Sequence, residues 1–542
     1  MKKLKELLEK RYIRFLFLAG SGVMTGLTVC FSVLGILEWV TMIPAALVFY
    51  SLCDSEKNRL RSFYSYGLFF SMCYFVTSWH WFFVMYPMSY TGMSEFAAFT
   101  VLLAAVLGLP LLQSSTFAFA FVIGGLIVRG KTTQKIKMLA PFVMAATWSV
   151  FEWAQTQFWF GVPWGRLSIG QTGILVTAQT ASWLGCYIIT FLIVAVNFLI
   201  AYAIYNAEAK KLFAFTAAGL FAVNTLFGAV IMATDSLGNS GRTVKVAAIQ
   251  GNVSSTEKWD STNWFSITKE AYATQTKKAA QDGGAEIVIW PETVLPVFIE
   301  DSYDARKFIS ELAKECNITL LVGTISRGDD NGQYNSIVTV MPDGSFADEV
   351  YYKQRLVPFG EYLPWSELIT AIIPALAEVN MLENFTTAPS DYTVMTNGEA
   401  VIGSAICFDS IYEELVRNSV NAGAEMIAIE TNDSWFFDSA AVHMHLNQAR
   451  LRAIENGRYV ARAANTGVSA IISSTGQILD ECPALEAGYV IGDIQLRNQR
   501  TLYTYVGNII IVLSALFCAT IITVDVTGRI KKRRETRNEA AE

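Results

Sequence analysis

Ala400-Val401-Ile402-Gly403-Ser404-Ala405-Ile406-Cys407-Phe408-Asp409 is a run of small and β-branched residues with too few polar groups for a surface position. It reads as a short buried strand ending in a thiol. Ser410 to Val420 follow with helical spacing, so the thiol is expected at the carboxyl end of a strand and just ahead of a helix, where open α/β folds place reactive groups. A helix N-terminus there would favour thiolate over thiol. The alternative is a structural cysteine, because free Cys is among the most buried residue types. The strand alone leaves both readings open.

Outward from this strand the composition changes sharply. The chain has 542 residues, 53% hydrophobic and 16% charged, and the apolar residues are concentrated between Tyr12 and Ala233 and again between Leu502 and Val524. The roughly 270 residues between have globular composition and are enough to bury their own core. Three units are therefore expected: a membrane domain over 1–233, a soluble domain over 234–501, and a last span with a basic tail over 502–542. Spans are predicted at 12–29, 31–52, 63–86, 95–128, 138–156, 173–204, 212–233 and 502–524. Met1 to Arg11 is basic and lacks a small-residue cleavage site, so it reads as a cytoplasmic lead-in to a retained helix.

Lys and Arg recur at Lys2, Lys3, Lys5, Lys10 and Arg11, at Lys57, Arg59 and Arg61, and at Arg129 to Lys137. They return at Lys210 and Lys211 and in the tail from Arg529 to Arg534, whereas the alternate loops contain only Arg166. This bias places both termini in the cytoplasm and the central domain outside it. That domain carries roughly two acidic residues per basic one, which argues against nucleic-acid binding. Cys316, Cys407 and Cys482 lie in it, an odd number, with no CxxC pair anywhere in the chain. His443 and His445 are two apart, a poor spacing for one metal, so no metal and no cofactor is expected.

Within the domain, strands are predicted at Val244–Ile249, Glu286–Trp290, Ile318–Thr324, Asn335–Val340 and Glu425–Glu430, with others near Tyr459 and Val468. Helices are predicted at Ser261–Gln281, Asp304–Cys316 and His443–Glu455, and the alternation implies a layered α/β domain. Two stretches carry oddly placed charges. In Ile287-Val288-Ile289-Trp290-Pro291-Glu292 a buried strand ends in a carboxylate, and in Tyr352 to Pro364 both Lys353 and Glu361 stand among apolar and aromatic residues.

A strand-end Glu, a loop Lys and a strand-end Cys, in that order, resemble the nitrilase (carbon–nitrogen hydrolase) superfamily, whose Glu-Lys-Cys triad sits on an α-β-β-α sandwich. The resemblance implies Glu292 as general base, Lys353 as cationic stabiliser and Cys407 as nucleophile. It also implies the Phe408 backbone N–H as an oxyanion donor. A thiol with pKa about 8.5 needs such neighbours to react at neutral pH. With such a domain set before the last of eight spans, the whole chain resembles the apolipoprotein N-acyltransferase family of the bacterial inner membrane. That resemblance rests further on Gln250-Gly251-Asn252, Thr431 to Phe436, and His445 to Arg462 with Asn465-Thr466-Gly467. It implies membrane phospholipid as acyl donor and a diacylglyceryl-modified apolipoprotein as acceptor, with the chain acting as a monomer. It also implies Glu361 as a second essential carboxylate and Trp259 as part of the site's closure. Cys407-Phe408-Asp409 departs from the family's common Cys-Tyr-Glu, which leaves the role of Asp409 open between it and Glu413 or Glu414. The apolar stretch Trp365 to Val379 reads either as a buried core helix or as a lid dipping into the membrane. Two rival functions remain: a membrane-tethered amidase or nitrilase that passes the acyl group to water, and a transporter with an inactive ectodomain.

Overall fold

The computed structural model describes residues 2–540 apart from 56–58, 89–93, 158–160, 207–209, 236–241, 259–261, 329–330, 359, 363–364, 368–370, 372–384 and 387–392. Trp259 and most of the 365–379 stretch, with Ile369, Ile372 and Ile373, therefore lie outside the described residues. The chain divides into two compact units. One comprises Met1–His80, Ala105–Ala229 and Asn508–Glu542; the other comprises Trp81–Ala104 and Val230–Gly507.

The first unit is helical. Among the described residues, six helices of the chain are long and apolar enough to cross a membrane: Arg11–Cys30, Ser32–Asp54, Glu95–Val128, Cys186–Tyr205, Lys210–Thr234 and Ile509–Glu539. The Arg11–Cys30 helix lies close against Leu60–Ser78 because Gly22 and Gly26 carry no side chain. A Cβ on Gly22 would come within 2.7 Å of Cys73 Cβ, and one on Gly26 within 2.6 Å of Thr77 Cβ. Three spans differ from expectation. The 63–86 stretch is an α-helix only over Leu60–Ser78, and a 3-10 turn follows at His80–Met85. The 173–204 stretch becomes short helical turns before a helix that starts only at Cys186, because Gly185 breaks the path with φ of 78°. The last long helix begins at Ile509, since Gly507, at φ 59°, separates it from Leu502–Val506.

Among the described residues the second unit holds thirteen strands: β1 (Thr243–Gln250), β2 (Ile287–Ile289), β3 (Leu295–Phe298), β4 (Thr319–Arg327), β5 (Gln333–Val340), β6 (Phe346–Tyr352), β7 (Val394–Thr396), β8 (Val401–Ile406), β9 (Met426–Thr431), β10 (Val460–Ala464), β11 (Ser469–Ile472), β12 (Ile478–Cys482) and β13 (Gly488–Gln495). They form a seven-stranded sheet, β13-β1-β2-β4-β5-β6 with β3 beside β4, and a six-stranded sheet, β12-β11-β10-β9-β8-β7. Side chains from both, including Val246, Ile289, Leu321, Ile402, Ala428 and Ala461, share one core between the sheets. Helices Trp264–Gln281 and Tyr303–Cys316 cover the outer face of the larger sheet, and Glu413–Asn421 and Ala440–Asn456 that of the smaller. The result is the expected α-β-β-α sandwich.

The central strands are parallel in both sheets: β1 with β2 and β2 with β4, β8 with β9 and β9 with β10. Glu292 and Cys407 therefore follow the carboxyl ends of parallel strands, on one sheet and the other. One local expectation fails. Cys407 opens a short 3-10 turn, Cys407–Ile411, at φ 48°, and the α-helix starts only at Glu413, so no α-helix N-terminus adjoins the thiol.

Candidate active site

Glu292 sits on a sharp turn after β2. Thr293 has φ 46°, and the turn is held flat against Gly323 of β4. A Cβ on residue 323 would lie 2.6 Å from Thr293 N and 2.8 Å from Glu292 Cα, so only glycine allows this approach. The Glu292 side chain turns inward. Its Oε1 accepts from Lys353 Nζ at 2.8 Å and from Asn335 Nδ2 at 2.7 Å, and its Oε2 accepts from the Asn432 backbone N–H at 3.1 Å. Lys258 Nζ donates to the Glu292 carbonyl at 3.1 Å and to the Thr293 hydroxyl.

Lys353 follows β6, its N–H donating to Asn335 O at 2.9 Å, and only 1% of its side chain is exposed. Its ammonium bridges Glu292 and Glu361, the second at 2.7 Å. Glu361 is fixed in turn by the Val357 N–H at 2.8 Å and by Asn335 Nδ2 at 3.1 Å. Charge settles the protonation of this array. Burial pushes the Glu292 pKa upward, but Lys353, Lys258 and the Asn335 amide outweigh it and hold the carboxyl below its usual range. Burial disfavours the Lys353 charge, yet Glu292, Glu361 and Cys407 together raise its pKa well above the ordinary value.

Cys407 packs against the inter-sheet core. Burial, and then the Glu292 charge, push its thiol up, with Lys353 opposing. The resting sulfur is thus a neutral thiol beside an ionised carboxylate and an ammonium, the reverse of the thiolate that a neighbouring helix would favour. The turn itself is pinned by Ser410 Oγ to Cys407 O at 2.7 Å, and His445 Nε2 lies 3.2 Å from that carbonyl.

Asp409 is wholly buried and acts as a latch. Its carboxylate accepts from Tyr351 Oη at 2.8 Å, Arg355 N at 2.7 Å, Gln354 N at 3.2 Å and its own turn's Ile406 N at 3.2 Å. It therefore ties the Cys407 turn to the loop carrying Lys353. Burial raises its pKa to about 6. Glu413 faces Arg452 at 3.9 Å, and Glu414 is exposed. The Phe408 ring packs edge-on against Tyr412, centroids 5.4 Å apart, and Arg355 lies over Tyr412.

Several residues of the site were not singled out from the sequence. Asn335, mid-strand in β5, reveals its role only when β4, β5 and β6 bring it between two carboxylates. Asp433, His445 and Arg462 form a buried network behind Cys407, with His445 Nδ1 2.9 Å from Asp433 Oδ1 and Arg462 Nη2 2.5 Å from Asp433 Oδ2. Burial opposes the Asp433 charge, but His445 and Arg462 hold its pKa at about 2. Thr431–Phe436 and His445–Arg462 carry these residues, but nothing local in the sequence sets them apart from ordinary buried polar groups. Glu430 is wholly buried in register with Ile406 and Ala463, and its carboxyl oxygens have no hydrogen-bond partner among the described residues. Burial, and then Glu292, push its pKa well up, so it stays neutral. Among the described residues no group of His, Cys, Asp or Glu is arranged to hold a metal ion.

Residues 245–503 match the carbon-nitrogen hydrolase family, and residues 21–199 match the apolipoprotein N-acyltransferase N-terminal domain. An apolipoprotein N-acyltransferase of Allorhizobium ampelinum is 30% identical over 438 residues, 78% of each chain. One from Geobacter metallireducens is 28% identical over 414 residues, covering 74% of this chain and 76% of that one. One from Gloeobacter violaceus is 28% identical over 500 residues, covering 92% and 91%.

Proposed function

Because the chain belongs to the apolipoprotein N-acyltransferase family, we propose that it transfers an acyl chain from a membrane phospholipid, through a thioester on Cys407, to the α-amine of the S-diacylglyceryl cysteine of a lipoprotein. The observation that carries the mechanism is the buried Lys353 ammonium shared between Glu292 and Glu361 within electrostatic reach of the Cys407 thiol. Glu292 is ionised and the thiol is not, so the base is ready and the nucleophile must be deprotonated as it attacks.

The Cys407 sulfur adds to the ester carbonyl of the donor while its proton passes to Glu292. Lys353 and the Phe408 N–H stabilise the oxyanion, and losing one such donor typically costs on the order of 100-fold in rate. Collapse breaks the ester C–O bond, Glu292 returns its proton to the departing lysophospholipid oxygen, and the thioester remains. The acceptor amine then adds to the thioester, Glu292 takes a proton from it, and the sulfur leaves as thiol with that proton. The amine needs no strong base, since an α-amino pKa near 7.7–8.0 leaves an appreciable neutral fraction. Glu361 keeps Lys353 charged and placed, and Asp409 holds the two catalytic loops together.

The Lys/Arg bias supports a catalytic unit outside the cytoplasm, with both termini inside, in a bacterial inner membrane. Reporters fused within 243–500 should be active only outside, and those at the C-terminus only inside. The chemistry is tested by mass spectrometry of the purified protein given phospholipid alone: acyl-Cys407 should accumulate, be removed by hydroxylamine, and discharge into an amide when a diacylglyceryl peptide is added. Glu292→Gln should fail at acylation. Decay of the adduct to free fatty acid, as fast with the peptide as without it, would establish hydrolysis instead.

A further inference from the structure

Away from the chemistry, in the helical unit, Lys5, Thr133, Gln134, Lys137, Tyr202 and Tyr205 line a cavity of about 390 Å³, within the size range of small-ligand sites. Its wall comes from two segments that carry basic residues, the N-terminal helix and the Arg129–Lys137 connection, and from the ends of the Ile43–Asp54 and Cys186–Tyr205 helices, which add Tyr50, Asp54, Tyr202 and Tyr205. Lys5 is held at the wall by Asp54 at 2.9 Å and by the Tyr205 ring, 4.3 Å from its ammonium. Lys137 has no acidic partner among the described residues. Thr133 is 1% exposed, yet its hydroxyl has no hydrogen-bond partner among the described residues. The segment that carries it is firmly placed, because Thr132 donates to Asp525 Oδ1 from its backbone N–H at 2.8 Å and its hydroxyl at 2.6 Å.

A buried hydroxyl without a partner costs free energy unless something accepts from it. The same cavity is lined by two exposed lysines, Lys5 paired with Asp54 and Lys137 with no acidic partner among the described residues, and by tyrosines whose rings offer an amphipathic wall (Tyr50 and Tyr202 meet edge-on at 5.0 Å). Phosphate oxygens are the acceptors this set suits, and basic pockets between membrane helices on the Lys/Arg-rich side are where phospholipid headgroups bind. We propose that this cavity binds the phosphate headgroup of an anionic phospholipid. The proposal takes from the preceding reading only that this unit lies in a membrane.

Native mass spectrometry of the full chain in detergent tests it, using phosphatidylglycerol, diacylglycerol and inorganic phosphate as probes. A Cys407→Ala background prevents acyl transfer during the measurement. One phosphatidylglycerol should be retained in preference to diacylglycerol. Lys137→Ala and Thr133→Val should each weaken that retention about tenfold, while Lys137→Arg and Thr133→Ser keep it. Equal retention in the Ala and Val variants, or equal retention of diacylglycerol, overturns the proposal. So does displacement by inorganic phosphate at equal concentration, which would mark a free-anion site. The hydroxylamine-sensitive adduct is read separately on the otherwise native chain, so failure of lipid binding and failure of acyl transfer are distinguishable.

Discussion

Asn335→Leu perturbs the Glu292 array without adding or removing a charge. The Asn335 amide donates to Glu292 at 2.7 Å and to Glu361 at 3.1 Å, and its own oxygen has no partner among the described residues. The residue is only 2% exposed, so water has little room to replace the lost donor. Leucine fills a similar volume and leaves the backbone bond from Lys353 N to Asn335 O intact. Losing a hydrogen bond to a charged group costs about 1.5–3 kcal/mol, so acyl-Cys407 formation should slow by roughly 10- to 100-fold. The direction in pH is fixed as well. Asn335 is one of the groups holding Glu292 below the usual carboxylate range, so its removal raises that pKa and moves the acidic limb of the rate profile to higher pH. Stability follows the same sign. A depressed carboxyl pKa stabilises above the unfolded value and loses that contribution as pH falls through the folded one, so the variant's deficit is largest near neutrality. The assay is single-turnover thioester formation, followed by intact-mass spectrometry across the acid and neutral range. An unchanged rate with an unmoved acidic limb would refute the assignment of Glu292 as the base held by this array.

Asp409, with a pKa near 6, should impose a fall in wild-type rate as pH drops through about 6, because protonation weakens its hold on the Gln354 and Arg355 N–H groups. Asp409→Glu should retain substantial activity and Asp409→Ala lose most of it; a fully active Ala variant would show that the latch does not matter. Gly323→Val should abolish thioester formation by displacing Glu292, with helix content by circular dichroism unchanged, and normal turnover would contradict the tight turn. Glu430 keeps its proton in the fold but ionises when unfolded, so the native state binds the extra proton and stability falls as pH rises above the unfolded carboxyl pKa. Glu430→Gln should therefore melt higher than wild type in mildly alkaline buffer and show a flatter pH dependence, and identical melting profiles would argue against a neutral buried acid.

Much of the architecture is written locally. Apolar runs of bilayer length mark the helical unit, and short β-branched runs mark β1, β4, β8 and β9, because hydrophobic periodicity depends only on neighbours in the chain. Glu292, Lys353 and Cys407 were legible for the same reason: each interrupts or ends an apolar run, where a charge or thiol is conspicuous. What escaped were groups whose meaning depends on partners far away in sequence. β13 pairs with β1 across some 240 residues, and its Gly488 and Gly492 blur any strand signal. Asn335 is an ordinary strand residue until strand pairing sets it between Glu292 and Glu361. Asp409 resembled a shortened catalytic acid, and only the approach of the Tyr351–Arg355 segment turned it into a latch. The helix expected to activate the thiol began too late, and the thiol's protonation was decided instead by burial and by charges from the opposite sheet. Local sequence thus determined the elements and marked the candidate side chains. Tertiary structure decided their charge states, because desolvation and Coulomb terms in a buried site depend on distances between strands that the chain brings together only on folding.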